Sequence, residues 1–198
     1  MHQLRESYEL RKHEIKERLD YFRRQKTGRE IFAELCFCLL TPQSRAKSCW
    51  SAVERLMEGD SSDARKIRKH LKGVRFANKK AGYIAEAKKS WDEIRNKAMT
   101  GNAYELREWL VKNVRGIGYK EASHFLRNIG VLDFAILDRH ILKNLRVYGV
   151  IGEIPGSMTP RKYREIEEKM RKFSEEIGIP MPELDLLFWS EETGEVFK

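Results

Sequence analysis

Cysteine, proline and long apolar runs are all scarce in this chain of 198 residues. Its three cysteines, Cys36, Cys38 and Cys49, make no even set, and the first two are too close in sequence for a zinc knuckle. No apolar stretch reaches the length of a membrane-spanning helix, and the N-terminal residues do not resemble a signal peptide. We therefore expect an intracellular protein that binds no membrane and keeps Cys36 buried and reduced.

Acidic residues are outnumbered by basic ones, with Asp+Glu 30 against Lys+Arg 39 and a formal net charge of +9. An excess of positive charge fits a polyanionic partner such as nucleic acid, although many basic proteins bind none. A chain of this length can bury a sizeable core as one compact unit of one or two lobes.

Apolar residues recur with helical spacing along most of the chain, and no segment alternates as a half-buried strand does. The pattern predicts an all-α fold. Thr27 and Thr159 are predicted helix N-caps, with Pro160 as the first residue of its helix. The helix over 28–40 is the most apolar and is expected at the centre of the core. The predicted helices span 4–24, 28–40, 44 onward, 64–71, 78–99, 102–113, 119 onward, 139–148, 161–177 and 183–189.

A glycine-bracketed turn lies between the helices that end near residue 113 and begin at residue 119. Gly116 and Gly118 can adopt backbone angles that other residues reach only with strain, and Ile117 can anchor the turn in the core. The helix that follows directs unpaired N–H groups and the positive end of its dipole at the space above the turn, which suits a phosphate. Such turns are also common between helices that bind no DNA.

Two residues near this turn form a candidate active site. Lys120 lies in the first turn of the second helix, where the helix dipole and partial burial both favour the neutral amine that can attack carbon. Asp138 precedes another helix, where N-cap amides would keep its carboxylate ionised. An amine beside a fixed carboxylate suits attack on the C1′ atom of a sugar. Taken singly, the lysine would be a solvated residue and the aspartate only a cap.

The order of residues over 114–142 resembles the helix-hairpin-helix and Gly/Pro-Asp signature of the DNA glycosylase superfamily that includes endonuclease III. The stretch GIGYKEASHF, residues 116–125, is most similar to the compact 8-oxoguanine DNA glycosylase/AP lyase family of archaea and some bacteria, the type 2 family. The resemblance covers nearly the whole chain. It implies that Lys120 is the nucleophile and that Asp138 is essential. Because no cysteine follows Cys49, the iron–sulfur cluster of some endonuclease III relatives is not expected.

The resemblance also implies an architecture of two helical lobes with a DNA-binding cleft between them. Residues 1–198 would form a single glycosylase domain, with a helical core at about 27–130 that includes the hairpin at 107–130. The second lobe would combine residues 4–25 and 138–198. The expected partner is double-stranded DNA with 8-oxoguanine opposite cytosine, bound by a monomer. No cofactor is expected, although K⁺ or Na⁺ on the hairpin carbonyls is a hypothesis.

Three further residues match positions at which the family contacts the duplex. Gln43 follows the Thr-Pro end of the central helix, where relatives carry a glutamine that enters the duplex or contacts the opposite strand. Arg75 and Phe76 match the family's Arg-Phe-x-Asn-Lys motif, which places Arg75 near the orphaned cytosine and Phe76 against the flipped base. For Gln43 the residues alone favour a simpler interpretation, a polar residue in an ordinary helix–helix turn. For the other two, the alternative is that Phe76 is a core residue and Arg75 a surface charge.

The C-terminal residues acquire a role only through the resemblance. Trp189 would be a second stacking plate for the base. Lys198 would present its terminal carboxylate to the Watson–Crick edge of guanine, whose N1–H and N2–H₂ donors a carboxylate accepts together.

The reaction implied is excision of 8-oxoguanine by attack of Lys120 on C1′, followed by β-elimination at the abasic site. Two alternatives stay open from the sequence. The protein could remove another base, such as a mismatched thymine or an oxidised pyrimidine. It could also be a helix-hairpin-helix DNA-binding module without enzymatic activity.

Overall fold

The computed structural model describes residues 2–59 and 61–197, and within these ranges all regular secondary structure is helical. The predicted all-α fold with a helix-hairpin-helix motif is confirmed. None of the described helices is both long and apolar enough to cross a bilayer. The eleven helices in the described ranges are α1 (His2–Arg23), α2 (Gly28–Leu40), α3 (Ala46–Met57), α4 (Ala64–His70), α5 (Ala77–Lys89), α6 (Trp91–Thr100), α7 (Ala103–Asn113), α8 (Tyr119–Asn128), α9 (Arg139–Val147), α10 (Pro160–Ile177) and α11 (Met181–Thr193).

Residue types at the helix starts explain several of these boundaries. Thr27, the predicted N-cap of α2, closes a reciprocal capping box with Glu30. The Thr159 hydroxyl accepts from the Lys162 N–H, and Pro160 is the first residue of α10. Both predicted caps are confirmed.

The single helix predicted over 78–99 is wrong, because the chain breaks at Ser90 into α5 and α6. Ser90 has φ −99° and ψ 15°, outside the helical region. It ends α5 and begins α6, a position at which serine is common because its side chain competes for backbone hydrogen bonds. Trp91 then packs edge-on against Phe32, with 4.9 Å between ring centroids. The apolar spacing continues across the break, so periodicity alone could not reveal it.

The last helix is longer than the predicted 183–189 and starts before Pro182. Proline is tolerated in the first turn of a helix because no intrahelical acceptor is needed there. The predicted start at residue 183 was therefore too late.

The contacts divide the chain into two compact units. The core unit comprises Gln25–Ile129, and the terminal unit comprises the residues up to Arg24 with those from Gly130 onward. In the core unit, α2 is buried along most of its length and packs against α3, α5, α6 and α8. Its central position agrees with its apolar sequence.

The terminal unit is organised around α11, which packs against α1, α9 and α10. Most of α11 is buried, including Leu184, Leu187 and Phe188. A helix that is apolar on most sides must be covered on most sides, and three neighbouring helices accomplish this.

All three cysteines are buried free thiols in the core unit. Burial raises the pKa of the Cys49 thiol to about 11, so this group is protonated at neutral pH. The predicted burial of Cys36 is confirmed.

Candidate active site and nucleic-acid interface

The hairpin turn between α7 and α8 requires glycine at Gly116 for two separate reasons. Its φ of +91° lies in the left-handed region, and a Cβ atom there would lie 2.4 Å from Cδ2 of Tyr83. Ile117 is buried, and its N–H donates to the Val114 carbonyl at 3.1 Å. The turn is therefore held by its own backbone bond, by the burial of Ile117 and by close packing on an aromatic ring.

Gly118 is the N-cap of α8, and its N–H donates to Oε2 of Glu121 at 3.2 Å. This amide, which the sequence suggested as a phosphate donor, is occupied by a carboxylate of the same helix in the structure. The N–H group of Lys120 also lies in the first turn of α8, where a helix supplies no partner of its own, and it is the more direct candidate for an anion.

Lys120 is half-buried, with 27% of its side chain exposed. Its Nζ atom lies 2.9 Å from Oε1 of Glu121. One carboxylate thus contacts both the hairpin amide of Gly118 and the candidate nucleophile.

Asp138 caps α9, as predicted, and its Oδ1 atom accepts from the N–H groups of His140 at 2.8 Å and Ile141 at 2.9 Å. Both bonds go to one carboxylate oxygen. Oδ1 is therefore fixed by the backbone of α9, which orients Oδ2 as well because the carboxylate is planar.

The loop before Asp138 is held by buried polar groups of the terminal unit. The Ala135 N–H donates to Oε1 of Glu167 at 2.9 Å, and the Leu137 N–H donates to the Tyr163 hydroxyl at 3.1 Å. The same hydroxyl donates to the Ala135 carbonyl at 2.7 Å. These hydrogen bonds give partners to polar groups of a buried, irregular backbone segment. They also fix the direction of the chain where it leads into α9 at Asp138.

Gln43 and Phe76 are the two non-glycine residues with positive φ among residues 2–59 and 61–197, each at 57°. A conformation of this kind costs on the order of 1–3 kcal/mol, and residues that adopt it cluster at active sites and ligand contacts. Gln43 is exposed in the turn between α2 and α3. Phe76 is 56% exposed just before α5, with the Arg75 guanidinium 5.4 Å from its ring centroid. The interpretation of Phe76 as a core residue is therefore wrong.

Trp189 lies on α11 and is half-buried. Its carbonyl accepts from the Thr193 hydroxyl at 2.9 Å, a side-chain bond within the last turn of that helix. Lys198 lies outside the described residues.

Three groups near these positions escaped the sequence reasoning. Glu121 occupies the third position after the Gly118 cap, a spacing typical of a capping box, so the sequence did carry a signal for it. Lys80 is buried on α5, where its neighbours in sequence gave no sign of burial. Glu192 pairs with Lys143 at 2.6 Å and with His140 at 3.5 Å, and hydrogen bonding to Lys143 lowers the pKa of its carboxyl.

In the described part of the chain, no group of three or more His, Cys, Asp or Glu residues is placed to hold a metal ion.

Comparison with known proteins gives consistent matches over nearly the full length. The family model for 8-oxoguanine DNA glycosylase matches residues 15–179. The 8-oxoguanine DNA glycosylase/AP lyase of Fusobacterium nucleatum is 45% identical, covering 93% of this chain and 91% of the relative. The protein of that name from Methanocaldococcus jannaschii is 41% identical and covers 96% of each chain.

Solved structures agree with these matches. The 8-oxoguanine DNA glycosylase of Thermotoga maritima superposes with a TM-score of 0.91 at 35% identity, covering 99% of this chain and 97% of the other. The M. jannaschii 8-oxoguanine glycosylase/lyase, solved in complex with a 15mer DNA containing 8-oxoguanine, superposes with a TM-score of 0.91 at 38% identity over the whole of both chains.

The all-α fold and the glycine turn define a helix-hairpin-helix protein. The extent of the family match and the identity to full-length relatives narrow this class further. The chain belongs to the 8-oxoguanine DNA glycosylase family.

Proposed function

We propose that this chain is a bifunctional base excision repair enzyme, which removes 8-oxoguanine from double-stranded DNA and then cleaves the strand at the abasic site. The observation that carries this proposal is Lys120 in the first turn of α8, directly after the glycine hairpin, in a chain 45% identical to an 8-oxoguanine DNA glycosylase/AP lyase. The net charge of +9 supports a polyanionic substrate.

In the proposed reaction, the Lys120 amine forms a bond to C1′ as the bond from C1′ to the base breaks, and the base leaves with the electron pair. Loss of the amine protons and opening of the sugar ring give a Schiff base between Lys120 and C1′. Loss of a proton from C2′ then expels the 3′ phosphate by β-elimination. Asp138 stabilises the positive charge that develops on the sugar.

For base recognition, we propose that Phe76 stacks on the extruded base and that Trp189 supplies a second stacking surface. The high exposure of Phe76 in a strained backbone supports this role. The terminal carboxylate of Lys198 would accept the N1–H and N2–H₂ donors of the guanine edge, which is chemistry that suits a purine lesion and not a pyrimidine.

For the duplex, we propose that Gln43 and Arg75 occupy the space that the extruded base leaves and contact the opposite cytosine. The backbone of Gly116, Ile117 and Gly118 would lie along the phosphates. The protein would act inside the cell as a monomer. Both units would serve as one glycosylase domain, since the family match runs through both.

We further propose that K⁺ or Na⁺ binds carbonyl oxygens of the hairpin turn. The Val114 and Gly118 carbonyls each accept one backbone bond and keep a second lone pair. A crystal soaked in Rb⁺ tests this directly, because a bound ion gives an anomalous peak at the turn.

Borohydride trapping tests the enzymatic proposal. The substrate is a duplex with one 8-oxoguanine opposite cytosine, and the proteins are the wild type, Lys120→Gln, Asp138→Asn and Lys112→Gln, an exposed lysine on α7 as the matched control. A covalent adduct is expected with the wild type and the control, and none with Lys120→Gln.

Two other outcomes point to the alternatives. If only a pre-formed abasic site traps, the lyase activity stands and the damaged base is a different one. If nothing traps although the protein still binds DNA, the chain is a non-catalytic DNA-binding module. Deletion of Lys198 separates purine from pyrimidine recognition, because unchanged excision of 8-oxoguanine would contradict the role of the terminal carboxylate.

A further inference from the structure

Lys80 is a buried cation whose amine is fully engaged. The residue is 4% exposed on α5. Its Nζ atom donates to the carbonyls of Leu40 at 2.6 Å and Pro42 at 2.7 Å and to the Ser44 hydroxyl at 3.0 Å. These three acceptors match the three donors of an ammonium group. The Leu40 carbonyl ends α2, and the other two acceptors lie in the turn between α2 and α3, which contains Gln43.

The same residue also connects to the second strained turn. The backbone N–H of Lys80 donates to the Phe76 carbonyl at 3.0 Å. Ser44 completes the link, because its hydroxyl oxygen also accepts from the Arg75 N–H at 3.0 Å. Lys80 and Ser44 therefore tie the Gln43 turn to the Arg75–Phe76 turn through hydrogen bonds at both ends.

The strain in these turns needs support from their surroundings. Gln43 and Phe76 both have φ 57°, and a residue in this region persists only where neighbouring groups hold it. Hydrogen bonds from a cation are stronger than those between neutral groups, so a buried ammonium is an effective brace for carbonyls at a helix end. Lys80 also sits where the C-terminal dipole of α2 favours a positive charge.

The burial of Lys80 is unfavourable in itself. Burial lowers the pKa of its amine, and the positive charges of Lys120 and Arg75 act in the same direction. An apolar side chain of similar length would fill the space without placing a charge in the core. Packing alone therefore does not account for a lysine at this position.

We propose that Lys80 is a positioning residue, which holds the Gln43 and Arg75–Phe76 turns ready to enter the duplex before DNA arrives. The proposal rests on the function proposed above for these two turns. Preformed turns avoid the ordering cost that flexible ones would meet on binding, and they place the intercalating and stacking side chains at the right distance from each other. Lys80 would thus act on base extrusion and not on the chemistry at C1′.

The experiment compares Lys80→Met, an apolar replacement of similar length, with Lys89→Met, which removes one positive charge from an exposed lysine of α5 outside the Arg-Phe-x-Asn-Lys motif. Two activities are measured for each protein. One is excision of 8-oxoguanine from a duplex, which needs extrusion of the base. The other is borohydride trapping on a single-stranded abasic oligonucleotide, which needs only Lys120 chemistry.

Lys80→Met is expected to lower excision at least about tenfold, since misplacement of contacting groups by about 1 Å can cost a hundredfold. Trapping on the single strand is expected to stay at the wild-type level. Lys89→Met is expected to change neither activity. Ser44→Ala, which removes the shared hydroxyl but leaves the two carbonyl bonds of Lys80, is expected to give a smaller loss of excision only.

Amide hydrogen exchange in the free protein adds a readout that does not depend on activity. Exchange in Lys80→Met is expected to quicken in peptides that contain residues 41–44 and 74–77 and to stay unchanged over 181–193. If exchange quickens throughout the chain, or if both activities fall together, Lys80 supports the fold and the proposal is wrong. Excision at the wild-type level would also overturn it.

If the protein is not an 8-oxoguanine glycosylase, the result differs from the one that would contradict the role of Lys80. The wild type itself would then excise no 8-oxoguanine. The exchange measurement would still decide whether Lys80 orders the two turns, since it needs no substrate.

Discussion

The core unit contains two kinds of turn with left-handed backbone, and they meet the same steric problem in opposite ways. The hairpin turn uses Gly116, whose missing side chain also makes room for the Tyr83 ring. The turns at Gln43 and Phe76 retain large side chains at φ 57°. Glycine would relieve their strain, but it would remove the side chain.

The two kinds of turn differ in whether the backbone or the side chain of the left-handed residue contacts the DNA in the proposed function. A hairpin that offers its backbone to a phosphate loses nothing with glycine. A turn that offers a side chain to a base or a gap in the stack must keep that side chain and bear the strain. In the second case the support comes from elsewhere, and Lys80 with Ser44 provides it. Four predictions test this comparison.

The largest effect is expected from Gly116→Ala. The new Cβ atom meets both an unfavourable φ and the Tyr83 ring, so we expect a loss of about 3 kcal/mol in the free energy of unfolding, together with loss of DNA binding. Chemical denaturation and a gel-shift assay measure the two effects. Gly149→Ala is the matched control, because that glycine has φ +72° with open space around it. Equal losses in the two variants would show that the Tyr83 contact contributes nothing.

Glu121→Ala is expected to have the next largest effect. The carboxylate accepts from the Gly118 N–H and contacts the Lys120 amine, so its removal leaves the start of α8 without a side-chain cap. We expect a loss of about 1 kcal/mol in thermal or chemical denaturation. Glu121→Gln keeps an acceptor for Gly118 and is expected to lose less than half as much. If Glu121→Gln loses more than half as much stability as Glu121→Ala, the negative charge of Glu121 contributes more to stability than its hydrogen bond with the Gly118 N–H.

Much of this fold was open to prediction from the sequence. Apolar spacing located the helices, and the residue types of Thr27, Thr159 and Asp138 identified their caps correctly. Caps are local, and their chemistry is carried by one or two residues. The break at Ser90 escaped because the apolar period runs through it without interruption.

The support of the two strained turns could not be predicted in the same way. No property of the Gln43 or Phe76 residue types favours positive φ, since glutamine and phenylalanine occupy that region rarely. A lysine within a basic helix is normally solvated, so Lys80 carried no signal of burial. Its contacts with Leu40 and Pro42 exist only because α5 packs against the end of α2. Such contacts arise from tertiary packing and leave no pattern in the local sequence.

Paired substitutions at Gln43 isolate the strain. Gln43→Ala removes the side chain and keeps a residue that is strained at φ 57°, whereas Gln43→Gly also relieves the strain. The glycine variant is expected to be the more stable of the two by about 1 kcal/mol in urea denaturation. Excision of 8-oxoguanine is expected to fall equally in both. Higher excision in the alanine variant would show that rigidity at this turn matters apart from the side chain.

The smallest expected effect concerns the charge on Lys80. Its pKa in the folded protein is lowered from 10.5, chiefly by burial, so between the lowered value and 10.5 the unfolded chain binds more protons than the native one. The free energy of unfolding contributed by Lys80 must therefore rise with pH in that window. Urea denaturation from pH 7 to about pH 10.5 is expected to show the wild type gaining stability relative to Lys80→Met. Subtracting the free energy of unfolding of Lys80→Met from that of the wild type at each pH cancels the contributions of the other lysines and of the tyrosines. A difference that falls with pH would mean that the carbonyls of the Gln43 turn raise the pKa of Lys80 more than burial lowers it, and the brace would then be a net source of stability at neutral pH.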